Sequence, residues 1–137
     1  MPEEYKTYLV TGATSGIGLA AARHFLTNGY RVIITGRSKE KLDFTHKELT
    51  KNTPNGNMLL PILCNIGKMD HIHRMANQLK GKNIYLDALI LNAGIFLRGT
   101  FEESDEELFD STFNINVKGQ FFTIQKLLPV LKTPQAL

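Results

Sequence analysis

The feature that most narrows what this chain can fold into is a loop, Thr11-Gly12-Ala13-Thr14-Ser15-Gly16-Ile17-Gly18. It lies between a short β-favouring run, Tyr8-Leu9-Val10, and a helix-like stretch that begins near Ile17 and stops at Asn28-Gly29. Its glycines fall in a G-x-x-x-G-x-G pattern. Gly12 lets the chain turn tightly, Gly16 lets backbone amides approach a ligand closely, and Gly18 lets the helix lie against the strand. A glycine-rich turn alone is a weak signal. Its place after a strand and before the Ala20-Ala21-Ala22 helix points to a loop that sets a dinucleotide pyrophosphate on a helix N-terminus. The loop lacks the Gly-Lys-Ser/Thr ending of a P-loop, which excludes that class.

The rest of the chain repeats the same alternation. Arg31 to Thr35 is a nearly continuous apolar run closed by Gly36, as expected of a strand covered on both faces. Ser38 is placed to cap a helix running to about Lys51, and Asn52 to Asn57 is dense in turn residues. Met58 to Leu63 reads as a third strand, and Pro61, which cannot donate to a ladder, puts it at an edge. Gly67 to about Gly81 is the third helix, and Leu86 to Leu91 the fourth strand, ending at Asn92-Ala93-Gly94. The last helix is expected from a capping box at Ser104, with Asp105, Glu106 and Glu107 in its first turn, to about Leu131, with room for a break. Phe109, Phe113, Val117, Phe121, Ile124 and Leu128 share one face, and Leu108, Ile115 and Phe122 repeat on the opposite one. One stripe can cover a sheet; the other needs a partner. Alternating strands and helices imply right-handed crossovers and a doubly wound parallel α/β sheet, with chemistry at the carboxyl ends of the strands.

Composition removes other classes. With 137 residues the chain is at most one domain, spanning 1–137. The net charge of +3 is dispersed, which gives nucleic acid and acidic membranes little support, and no apolar run is long enough to span a bilayer. The single cysteine, Cys64, rules out a disulfide framework and reads as a small buried hydrophobe. His71 and His73, two apart on a helix, face different ways, so no metal site is expected. The opening Met1-Pro2-Glu3-Glu4 has no signal-peptide character, so a cytoplasmic protein is the expectation.

Thr11, Gly12, Gly16, Ile17 and Gly18 match every fixed position of T-G-x-x-x-G-I-G, and the chain closely resembles the short-chain dehydrogenase/reductase family. Two further family motifs follow in order. N-N-A-G is present as Leu91-Asn92-Ala93-Gly94, with Leu in the first place, and the Asn of the following helix stands in Asn114-Ile115-Asn116-Val117-Lys118-Gly119. The resemblance implies a Rossmann-type sheet, here cut off after about four strands. It also implies cofactor-binding roles for the loop residues Thr11, Gly12, Thr14, Ser15, Gly16, Ile17 and Gly18 and for Asn92, Ala93 and Gly94. Asn116 corresponds to the fourth member of the catalytic tetrad, which in the family holds a water of a proton relay. As plain structure, Asn92 would be a strand-end turn residue and Asn116 a polar helix residue.

Strand two ends in Thr35-Gly36-Arg37-Ser38, with no carboxylate for a ribose and with an arginine suited to a 2′-phosphate, so NADP is expected ahead of NAD. Asn65 stands where the family usually has an adenine-contacting Asp. The family's chemistry also needs a Ser and a Tyr-x-x-x-Lys. The positions four after Tyr5, Tyr8, Tyr30 and Tyr85 are Leu9, Gly12, Ile34 and Leu89, so the motif is absent. The expectation is therefore the cofactor-binding half of an NADP-dependent oxidoreductase acting on a small carbonyl or alcohol in a longer form, inactive alone. Self-association through the last helix is expected with it. The alternative is a non-catalytic dinucleotide-binding or interaction module.

Overall fold

Strands β1 (Thr7–Val10) and β2 (Arg31–Gly36) lie side by side in parallel, with Thr7 opposite Arg31 and Val10 opposite Ile34. They are the two inner strands of a sheet seen in a computed structural model that describes residues 5–133. The readings placed on Met1 to Glu4, and the last four residues of the expected domain, lie outside the described residues. β3 (Leu59–Leu63) pairs with β2, and β4 (Ala88–Ile90) with β1, both parallel, giving the order β3-β2-β1-β4. Pro61 sits on the edge strand, as its missing N–H requires, opposite Ile34.

Helix α1 (Gly16–Thr27) follows β1, α2 (Lys39–Asn52) follows β2 and α3 (Met69–Gly81) follows β3. Ser38 caps α2, its Oγ accepting the Lys41 N–H at 3.3 Å, and Gly29 takes the left-handed conformation (φ 84°) just past α1. Alternate residues of the inner strands point to opposite faces. Leu9 and Ile33 join Ile72, Met75 and Leu79 of α3 on one side. Val10, Val32 and Ile34 join Ala22 and Leu26 of α1 and Leu42 and Leu49 of α2 on the other. Complete burial of a Leu, Ile or Val contributes about 1.5–3 kcal/mol, so these two clusters hold the three layers together.

Several boundaries differ from the sequence reading; the third strand begins at Leu59, with Gly56–Met58 forming a 3₁₀ turn before it. The third helix begins at Met69 rather than Gly67, because Asn65 folds residues 65–68 into a turn, its Oδ1 accepting the Gly67 N–H at 2.9 Å and its carbonyl the Lys68 N–H at 3.0 Å. The fourth strand is shorter than Leu86 to Leu91, covering Ala88–Ile90 alone; Leu86 instead bridges to Leu131. The last helix is capped by Asp105, not Ser104. Asp105 accepts the Leu108 N–H at 2.8 Å, while the Ser104 hydroxyl donates to the Thr100 carbonyl at 2.6 Å.

That last helix comprises α4 (Glu106–Phe113), a π-helical segment (Asn114–Gly119) and α5 (Gln120–Leu127), ending in a 3₁₀ turn (Leu128–Val130). The expected break is thus a wide turn rather than an interruption. Gly119 packs directly onto the Ile66 carbonyl; a Cβ there would stand 2.3 Å from that oxygen. Ile115 and Phe122 pack on the α3 side of the sheet with Leu127 and Val130. The opposite stripe, Phe109, Phe113, Val117, Phe121, Ile124 and Leu128, is exposed.

Candidate functional site: a groove at the carboxyl ends of the strands

The loops after β1, β2 and β3 and the Asn92-Ala93-Gly94 segment enclose one groove of about 270 Å³. Gly12, Thr14 and Ser15 line it from the first loop, Arg37 and Ser38 from the second, with Lys41 from the first turn of α2, Cys64, Asn65 and Ile66 from the third, and Asn92 to Ile95 from the fourth. Arg37 and Lys41 are the charged residues of this lining, both cationic. Burial pushes the Cys64 thiol up to about 11, so it contributes no charge near neutrality.

The first loop is held by the fourth. The buried Thr11 hydroxyl accepts the backbone N–H groups of Asn92 and Ala93, each at 3.0 Å. The Asn92 carboxamide donates back to the Thr11 carbonyl at 3.2 Å and the Gly12 carbonyl at 3.0 Å. Gly12 takes a left-handed φ of 63°, and a Cβ on it would approach the Ala93 Cα to 2.8 Å. Gly18 lies beneath this knot, where a Cβ would stand 2.4 Å from both Asn92 Nδ2 and the Gly12 oxygen. On the other side the Ala13 N–H donates to the Thr35 carbonyl at 3.0 Å, and Gly36 leaves room for the Thr14 methyl.

Gly16 is different in kind. It too has a left-handed φ (56°), but nothing lies within 4 Å of where its Cβ would be. Ser15, the residue before α1, makes no side-chain cap, and the first turn of α1 carries no acid. The amides at this helix start are therefore free of a side-chain acceptor, which suits an anion.

The structure brings Gly12, Thr14, Ser15, Arg37, Asn65, Asn92, Ala93 and Gly94 together along the groove. Thr11 and Gly18 lie behind it as its support, and Ile17 projects outward, 81% exposed. Asn116 sits on the π-helical segment, where its Oδ1 accepts the Ile95 N–H at 2.8 Å and its Nδ2 donates to the Ile95 carbonyl at 2.7 Å. In this structure its side chain ties the fourth loop to the last helix.

Two supporting residues escaped sequence reasoning. Gln120, four residues after Asn116, donates to the Ala93 carbonyl; that spacing was a usable signal. His71 accepts the Asn65 N–H at 3.1 Å through Nδ1, a contact across a non-repeating turn that no periodicity announces. Among the described residues no group of three or more His, Cys, Asp or Glu could hold a metal ion, and no helix is long and apolar enough to cross a membrane.

A family profile described as short chain dehydrogenase matches residues 6–136. The chain belongs to the short chain dehydrogenase family. Similar family members include the 3-oxoacyl-acyl-carrier-protein reductase FabG of Thermotoga maritima, 34% identical over 93% of this chain and 51% of that protein. The short chain dehydrogenase resG of Aspergillus sclerotiorum is 34% identical over 93% of this chain and 35% of that protein. The chain thus spans between about a third and a half of the length of these relatives. Among solved structures, an alcohol dehydrogenase from Thermococcus sibiricus complexed with 5-hydroxy-NADP superimposes with a TM-score of 0.83 at 26% identity, covering 93% of this chain and 53% of that one. An actinorhodin polyketide ketoreductase with NADPH gives a TM-score of 0.83 at 31% identity, covering 92% and 47%. The short-chain dehydrogenase fold of these neighbours is a Rossmann sheet, which agrees with the parallel four-stranded sheet described above.

Proposed function

We propose that this chain, as one domain, is the NADP-binding part of an oxidoreductase that moves hydride between NADP(H) and a small carbonyl or alcohol. The observation that carries the reading is the groove itself. It joins an open, uncapped helix start at Ser15-Gly16 to a wall whose charged residues, Arg37 and Lys41, are both cations. In this reading the amides around Gly16 and Ile17 take the pyrophosphate, helped by Thr14 and Ser15. Arg37 takes the 2′-phosphate, a group that a ribose-binding acid would repel, with its planar fork. Asn65 meets the adenine and Asn92 to Gly94 line the course toward the nicotinamide.

When bound, the cofactor would supply the hydride chemistry; the residues of this chain bind and orient it. Thr11, Gly12, Gly18 and Asn92 keep the two loops in register, and Asn116 fixes the segment at Ile95. A proton donor at the substrate oxygen is not provided here, because no Tyr of this chain has a Lys four residues on. The chain by itself is therefore expected to bind cofactor without turning substrate over. The exposed stripe from Phe109 to Leu128 favours a second element of the reading, self-association through the last helix.

Calorimetric titration of the purified chain with NADPH and NADH, at low and moderate salt, tests this. Tighter NADPH binding that weakens with salt is expected; no binding of either removes the dinucleotide reading and leaves the chain as an interaction module.

A further inference from the structure

We infer that His71, which lies outside the groove, is a positioning residue that holds the groove wall through the Asn65 backbone, and holds it only while its imidazole is neutral. The inference rests on the dinucleotide reading for its effect on a ligand. Asn65 lines the groove, and its N–H donates to His71 Nδ1 at 3.1 Å. A nitrogen that accepts carries no proton, so this bond assigns the ring proton to Nε2. A second proton would turn Nδ1 into a donor pointing at another donor, replacing a hydrogen bond by a repulsive contact.

Nothing else in the turn can take over. The Asn65 Oδ1 already accepts from Gly67 at 2.9 Å and its carbonyl from Lys68 at 3.0 Å. On either side the wall is fastened by groups that do not titrate near neutrality: the Cys64 N–H donates to the Gly36 carbonyl at 2.9 Å, and Ile66 lies under Gly119. The ring's surroundings are few. Asp70 Oδ2 is 4.0 Å from Nε2, and Arg74 stands 3.5 Å from the same carboxylate. The Cys64 thiol is uncharged, β3 carries no charged residue, and α5, packed on α3, carries one, Lys126. An imidazole that carries a second proton offers no acceptor, so the hold on Asn65 lasts only as long as Nδ1 is unprotonated.

The test compares NADP⁺ binding by calorimetry at about pH 8 and about pH 5.5 in the natural chain and in His71→Asn, whose side-chain amide can present an acceptor that does not titrate. The 2′-phosphate itself titrates near pH 6, by analogy with other phosphomonoesters at about that value, but equally for both proteins. Affinity of the natural chain is expected to fall roughly three- to tenfold more than that of the variant, as for the loss of one hydrogen bond. In the ligand-free natural chain the Asn65 amide signal should follow the ring's titration by NMR. An equal fall in both proteins, or an Asn65 amide indifferent to the ring, overturns the inference. Absence of binding at either pH counts against the dinucleotide reading instead, and the amide titration then decides the role of His71 alone.

Discussion

Asn92 donates from its carboxamide to the Gly12 carbonyl at 3.0 Å, joining the end of β4 to the first loop across 80 residues of sequence. Together with the Thr11 hydroxyl, which accepts from the Asn92 and Ala93 amides, it makes the floor of the groove one unit rather than two neighbouring loops. Thr11→Val keeps the shape and removes the acceptor, leaving two N–H groups without it. A loss of about 1–3 kcal/mol is expected, read as a lower urea midpoint, while Thr11→Ser restores most of it.

Gly119 has no room for a side chain. A Cβ there would stand 2.3 Å from the Ile66 carbonyl and 3.0 Å from that of Asn114. Gly119→Ala must push the last helix off the third loop, at a cost of about 1–3 kcal/mol, seen as a lower Tm. Gly81→Ala, at the end of α3 where a Cβ meets nothing within 4 Å, is the control.

Cys64 links stability to alkaline pH. Burial raises its thiol from the usual 9.0 to about 11, so folding favours the neutral form. The resulting stabilisation is complete below the unfolded value and is lost as pH rises from about 9 through about 11. Unfolding measured across that range should show a steeper alkaline loss in the natural chain than in Cys64→Ala. By the same cause, a thiol reagent at neutral pH should label the unfolded chain far faster than the folded one.

The exposed stripe of the last helix makes a separate prediction. Phe109 and Phe113 stack with ring centres 4.4 Å apart on the outer surface, and Phe121 and Leu128 continue the same face. If this face joins chains, sedimentation will show association that grows with concentration, and Phe113→Glu with Phe121→Glu will abolish it without lowering Tm. Association unchanged by both substitutions would place the contact elsewhere.

Much of this was legible in the sequence because it is written in local punctuation. Gly12, Gly29, Ser38 and Pro61 each do what their backbone chemistry dictates, and together they mark the loop, a helix end, a helix start and an edge strand. The groove residues were legible through the same motifs, since Gly12, Arg37, Asn65 and Asn92 converge at the carboxyl ends of the strands. What was not legible depends on contacts chosen only after folding. Ser104 and Asp105 are both good caps, and Thr100 decides between them by engaging the Ser104 hydroxyl. The π-helical segment ends at Gly119, which meets Ile66 of the third loop, and His71 reaches Asn65 across the turn that the Asn65 side chain closes.

Whether the groove distinguishes the two cofactors is decided by the ratio of NADPH to NADH affinity in the natural chain and in Arg37→Ala. A groove that reads the 2′-phosphate through Arg37 will favour NADPH, and the substitution will reduce that preference roughly tenfold or more, the usual worth of a charge-assisted contact to phosphate. NADH binding should change little. Equal affinity for the two cofactors in the natural chain, or a preference untouched by Arg37→Ala, would contradict it.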